Sequence, residues 1–178
     1  MTMKRVDAPT ETPPAVPVPE LLLAGDLAKQ VKFTPATDED VSIAAALRNN
    51  SEPWKGRGES LDESQASIVQ LRPYLHLARI NGQAVGYVTV ERDGPVAGAA
   101  YMRNIVVRED LRRRGMGTLL LDHAMEIARE MIRKTIALRV DPANAAAVSF
   151  YRAKGFTTVA TVVSKKSGKL RLLMSREL

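Results

Sequence analysis

Along the chain the spacing of apolar and polar residues changes period several times, and each change marks an element. Val31–Thr34 alternates as a short strand would. Thr37 and Asp40, three apart, form a reciprocal helix cap, and Val41, Ala44, Ala45 and Leu47 follow at helical spacing. The polar stretch NNSEPWKGRGE carries the sole tryptophan, Trp54, and reads as a loop. Ser60 with Glu63 is a second cap, opening a helix that must stop before Pro73. Leu75–Ile80 and Gln83–Glu91 read as strands joined by Asn81-Gly82, the strongest short hairpin signal. A turn at 92–95 leads into a strand predicted over Val96–Val107. Met116, Leu120, Ala124, Ile127 and Met131 then step by three and four, which marks a long helix beginning near Gly117. Thr135–Val140 is a strand, and Asn144–Lys154 is a short helix closed by Gly155. Phe156–Val163 and Leu170–Ser175 form a hairpin around SKKSGK. The fold class predicted is α/β of the α+β kind: a mixed central β-sheet flanked by helices.

Composition narrows the reading. A length of 178 residues suits one domain with a proper core. Five prolines (Pro9, Pro13, Pro14, Pro17, Pro19) crowd the start, so residues 1–30 read as a proline-rich N-terminal arm and 31–178 as the domain. The absence of cysteine removes disulfides, thiolate zinc sites and a cysteine acyl-enzyme. His76 and His123 have no companions at ligand spacing, so no metal is expected. No apolar run is long enough to span a bilayer, and no apolar block follows Lys4 and Arg5, so no membrane association and a cytoplasmic location are expected. The net charge of +6 favours an anionic partner. Nucleic acid fits poorly: aromatics are 4% of the chain, and Glu109-Asp110 interrupt the basic stripe.

The strongest candidate chemistry is RRRGMG at 112–117, between a strand end and a helix start. A helix N-terminus presents free backbone N–H groups and a partial positive charge, and glycines permit close approach. Such a turn suits a pyrophosphate. It is not a P-loop, because no lysine follows Gly117, nor a dinucleotide fingerprint, because Leu120 stands where a small residue is needed.

Arg112-x-x-Gly115-x-Gly117, followed by Asn144, Ala147, Phe150, Tyr151, Gly155 and Phe156, resembles the paired signatures of the GCN5-related N-acetyltransferase superfamily. The resemblance covers residues 31–175 and is densest over 101–156. It implies an acyl-CoA N-acyltransferase fold with acetyl-CoA as co-substrate. In that reading the backbone amides of Arg112, Arg113, Arg114, Gly115, Met116, Gly117 and Thr118 hold the pyrophosphate. Ile105 and Val107, on a strand splayed from its neighbour, pair with the pantetheine arm, as does Asn144. Tyr151 protonates the departing sulfur. Backbone N–H at Val106–Val107 meets the thioester oxygen.

Two positions depart from relatives. Tyr101 stands where histone-type members carry a base glutamate, and Arg139 stands where members acetylating ribosomal N-termini carry theirs. That argues against both protein specificities. Glu91 is a candidate replacement base, with a water-mediated proton path as the alternative. Arg139 and Arg103 project towards the acceptor side, either to meet an anionic group on the substrate or as structural pairs, Arg139 with Asp141. The expected function is transfer of acetyl from acetyl-CoA to a primary amine on a small molecule bearing an anionic group. A protein or peptide N-acetyltransferase and a non-catalytic acyl-CoA-binding module are the alternatives. A homodimer is a further expectation.

Overall fold

The computed structural model describes residues 24–165 and 167–178. Residues 1–23, most of the expected arm, lie outside the described residues. The helices are α1 (Ala24–Gln30), α2 (Val41–Asn49), α3 (Leu61–Leu71), α4 (Met116–Glu130) and α5 (Ala145–Ala153). The strands are β1 (Lys32–Pro35), β2 (Leu75–Ile80), β3 (Gln83–Glu91), β4 (Ala100–Val107), β5 (Thr135–Val140), β6 (Thr157–Val163) and β7 (Leu170–Glu177). They make one sheet in the order β1-β2-β3-β4-β5-β7-β6. Every neighbouring pair is antiparallel except β4–β5.

The turn signals hold at atomic detail. Asn81 and Gly82 both have positive φ, as a two-residue hairpin turn of type I′ requires. Thr37 donates from its amide and its hydroxyl to Asp40 Oδ2, 3.0 Å each, and the other Asp40 oxygen accepts from Arg79 on β2. Burial alone would raise the Asp40 carboxyl, but the Thr37 amide and Arg79 outweigh it and hold it below its ordinary value. Ser60 and Glu63 exchange the two bonds of their cap at 3.2 and 2.8 Å.

Two boundaries differ from the sequence reading by more than two residues. The third long strand begins at Ala100, not Val96. Gly98 is left-handed, and a Cβ on Gly94 would lie 2.3 Å from that of Tyr101, so the chain turns there rather than pairing. The folded body also starts before Val31: α1 places Leu27, fully buried, in the core against α4.

The sheet separates two apolar cores. One joins Val88, Val90, Met102 and Leu138 of the strands to Leu120, Leu121 and Ala124 of α4, with Tyr151 and Phe156 at its margin. The other lies under α2 and α3 and holds Leu75, Leu77, Tyr87, Val106 and Trp54. Beside it the loop between α2 and α3 is strapped down. Arg48 lies 4.5 Å over the Trp54 ring and forks onto Glu59 at 2.5 and 3.2 Å, and Glu59 also accepts from Ser64 at 2.8 Å.

Two features govern what reaches the site. Gly86 on β3 has no room for a side chain, since a Cβ would lie 2.5 Å from the Val106 carbonyl and 3.2 Å from Leu120. The β3–β4 register slips between Thr89 and Val90, leaving Arg103 as an extra residue that bends β4.

The sequence reading treats the two histidines as separate, but the fold joins them. His76 Nδ1 lies 3.1 Å from His123 Nε2, Phe33 stacks on His123 at 4.1 Å, and Glu126 approaches its other nitrogen at 3.5 Å. Burial lowers the pKa of both imidazoles from the usual 6.5, and mutual repulsion adds to this at His76. The unfolded chain therefore binds more protons just below pH 6.5, and stability rises with pH through that window. We expect the melting temperature to fall as pH drops from about 7 to about 5, and His76→Gln/His123→Phe to flatten that slope. Thermal scans across that range decide it; an unchanged slope in the double variant would assign the effect to other groups.

Candidate active site

Pairing between β4 and β5 covers only Ala100–Met102 against Ile136–Leu138. Beyond it the two strands part while β4 stays paired with β3 to Val107, so the peptide groups of Ile105 and Val107, alternating with those turned to β3, face the opening without β5 partners. A strand edge of this kind offers backbone donors and acceptors to an extended ligand. Ile105, Val106 and Val107 lie along it.

The chain then turns into α4. Leu111, fully buried, anchors the turn. Arg113 (φ 60°) and Gly115 (φ 91°) are left-handed and reverse the backbone. The Thr118 and Leu119 amides both return to the Gly115 carbonyl, at 3.0 and 3.2 Å. The amides of Met116 and Gly117 therefore stand before the first intrahelical bond, at the positive end of the helix dipole. The arginines do not act as one charge cluster. Arg112 folds back and donates through Nε to the Val107 carbonyl at 3.3 Å, pinning the end of β4. Arg108 forks onto Asp110 at 2.7 and 2.8 Å, and these bonds outweigh burial to hold that carboxyl below its ordinary value, with Arg114 also near. The two glycines differ as well. Gly115 supplies the reversal, whereas Gly117 is helical and a Cβ there would meet Phe150 at 3.8 Å.

The Phe150 ring of α5 thus lies beside the first turn of α4. Asn144 caps α5, accepting from the Ala147 amide at 3.1 Å, and Gly155 (φ 82°) ends it. The cap leaves the Asn144 side-chain NH2 available to a ligand. Tyr151 is buried, with its ring edge-on to Phe150 and Phe156 at 5.3 and 5.7 Å. Burial pushes its pKa up, so the phenol holds its proton.

Across the sheet, the ring of Tyr101 lies under two guanidinium groups, with Arg103 Cζ at 5.5 Å and Arg139 Cζ at 6.0 Å from its centroid. Arg103 forks onto Glu91, Nη2 to Oε2 at 3.1 Å and Nε to Oε1 in close contact. Each Glu91 oxygen thus accepts one bond from Arg103, and the two charges are paired. Asp141 pairs with Arg171 at 2.9 Å, not with Arg139. Among the described residues Arg139 makes no ion pair. Sequence reasoning missed Tyr101 as the platform for these cations. Both guanidinium groups reach that ring from neighbouring strands whose parallel register sets Tyr101 opposite Ala137, and strand register is not written in either strand alone. Also among the described residues, no cluster of three or more potential metal ligands occurs and no helix is long and apolar enough to cross a membrane.

The chain is similar to known proteins. A model described as the acetyltransferase (GNAT) family matches residues 43–156. An uncharacterized N-acetyltransferase of Methanocaldococcus jannaschii is 32% identical over 84 residues, 45% of this chain and 37% of that protein. The chain thus spans well under half the length of this curated relative. Among solved structures, Ard1 from Thermoplasma volcanium superposes with a TM-score of 0.68 at 18% identity, covering 84% of this chain and 98% of that one. Arabidopsis thaliana Naa50, in complex with the bisubstrate analogue CoA-Ac-MVNAL, gives 0.63 at 21%, covering 84% and 99%. At these identities the structural likeness is one of fold.

The unlike glycines give a direct test of the turn. A side chain at Gly115 must adopt the left-handed region, so Gly115→Ala should cost about 1–2 kcal/mol. Gly117→Ala relieves a helical glycine and should stabilise by up to about 1 kcal/mol. Urea unfolding of both variants would show opposite shifts in midpoint; shifts of one sign would contradict the geometry.

Proposed function

The chain belongs to the GNAT acetyltransferase family, and on that premise we propose that it transfers an acetyl group from acetyl-CoA to a primary amine on a small molecule that also carries an anionic group. The observation that carries the acceptor class is Arg139, a cation without an ion-pair partner among the described residues, held 6.0 Å from the Tyr101 ring beside the opened β4–β5 edge. An ammonium substrate alone would be repelled there. A carboxylate or phosphate on the same molecule turns the repulsion into a charge-assisted contact.

The residues fit acetyl-CoA as donor. Of the turn from Arg112 to Thr118, whose end amides bond to the Glu109 and Gly115 carbonyls at 3.2 and 3.0 Å, the Met116 and Gly117 amides would hold its pyrophosphate, with the arm along Ile105 and Val107 and against the Asn144 side-chain NH2. The analogue in the Arabidopsis neighbour supports a coenzyme A thioester in this fold. The neutral amine attacks the thioester carbonyl, backbone N–H at Val106–Val107 meets the oxygen, and the carbon–sulfur bond breaks. Tyr151 gives its proton to the departing sulfur. The amine proton leaves through water, with Glu91, which keeps free lone pairs beside its bonds to Arg103, as the second candidate base.

Two measurements test this reading. Tyr151→Phe should keep its calorimetric affinity for acetyl-CoA while kcat falls by about 10²-fold or more, less so with a better thiol leaving group. A variant that turns over at the parental rate would reduce Tyr151 to a packing residue. For the acceptor, an amino acid is compared with its decarboxylated amine. The parent should favour the amino acid, and Arg139→Ala should raise its KM about tenfold, the size of a charge-assisted contact. A parent preferring the decarboxylated amine, or accepting only peptides, would sink the anionic-acceptor assignment.

A further inference from the structure

Among the described residues two buried side-chain atoms have no hydrogen-bond partner, Tyr87 Oη and Asn104 Nδ2. Tyr87 is fully buried in the core under α2 and α3, with the Arg48 guanidinium near its oxygen. Asn104 is different. It is partly exposed and stands on β4 one residue before Ile105, where the peptide groups facing the opening begin. Its main-chain amide is held, donating to Oγ1 of the fully buried Thr89 at 3.0 Å, yet its side-chain NH2 meets nothing. A covered donor without an acceptor is costly, so its presence at a reacting edge calls for an acceptor supplied by a ligand. The bulge decides which way this side chain points. Met102 belongs to the core against α4 and Val106 to the core under α2 and α3. An unbroken strand would send both to one face; the extra residue at Arg103 switches the alternation. Asn104, two before Val106, therefore shares a face of the sheet with Tyr101, the neighbour of Met102. Arg139, next to Leu138 of the α4 core, faces the same way, over the Tyr101 ring.

We propose that Asn104 determines acceptor specificity: its side-chain NH2 donates to a carbonyl or carboxylate oxygen on the carbon that bears the attacking amine. An asparagine NH2 only donates, so it selects an oxygen with a free lone pair. Asn104 stands at the reacting edge itself, so the oxygen it meets must lie next to the amine. Arg139 projects instead from β5, on the other side of the opening. The terminal torsion of an asparagine is soft, so the NH2 turns to meet the oxygen as the acceptor enters. The acceptor class is an α-amino carbonyl compound, a chemistry shared by free amino acids, their amides and the first residue of a peptide. The proposal rests on transfer to an amine and not on the acceptor's charge.

At saturating acetyl-CoA, four acceptors provide the test: alanine, alaninamide, an alanyl dipeptide and ethylamine, which lacks the oxygen. Alaninamide should exceed ethylamine about tenfold or more in kcat/KM. Asn104→Leu keeps the size and removes the donor. It should raise KM for alaninamide about tenfold, with KM for ethylamine and the affinity for acetyl-CoA unchanged. The same variant should unfold at a higher temperature, because an apolar group replaces an orphan donor. Should it fold poorly, Asn104→Asp, of the same shape, should weaken alaninamide by a similar factor. The best of the three alanine compounds names the source: free acid, amide or peptide. Arg139→Ala should weaken alanine but not alaninamide, and loss of that difference would overturn the anionic-acceptor reading alone. A parent that uses alaninamide and ethylamine equally, or Asn104 variants that lose stability with their acceptor preference intact, would overturn the assignment of Asn104.

Discussion

The structure depends on where β4 stops pairing with β5. Three residue pairs join them, and then the strands separate while β3 holds β4 straight on through Val107. Backbone groups inside a protein must be satisfied, so a sheet that opens in its middle is stable only if something enters the opening. The remaining features are arranged around that opening. The left-handed turn at Gly115 sets the start of α4 at its mouth, α5 places the protonated Tyr151 nearby, and Arg112 fastens the end of the freed strand. The bulge at Arg103 supplies the bend that the separation needs.

The surroundings show how a basic chain avoids becoming a general polyanion binder. Most of the arginines near the opening are engaged. Arg103 is held by Glu91, Arg108 by Asp110, Arg171 by Asp141, and Arg112 by a main-chain carbonyl. Formal charge therefore overstates the field at the site, where Arg139 lies over the Tyr101 face without an ion pair among the described residues. A single cation beside a strand edge selects for a defined anionic group rather than for a charged surface.

Much of this was legible before any coordinates. Local rules operate over a few residues, so the caps at Thr37 and Ser60, the Asn81-Gly82 turn and Thr135–Val140 could be read directly. The two motifs lie near each other in the fold, since a side chain on Gly117 would reach Phe150 at 3.8 Å. Contacts between segments distant in sequence were not legible. The bond between His76 and His123 joins residues 47 apart, and the Glu91–Arg103 fork depends on a bulge that no composition reveals. The engagement of Arg112 was hidden for a different reason: a motif fixes a residue's place but not which way its side chain turns.

Gly86 carries a consequence that reaches past packing. An empty Cβ position there lets β3 lie close against the carbonyl of Val106, while Leu120 of α4 presses on the same spot from the other core. The height of that peptide within the sheet is thus a mechanical setting, fixed by the absence of one methyl group in an adjacent strand. Natural drift at this site has no gentle first step, because even alanine must displace main chain rather than a pliable side chain. A position that touches no reactant is in this way bound to the geometry of the reacting edge.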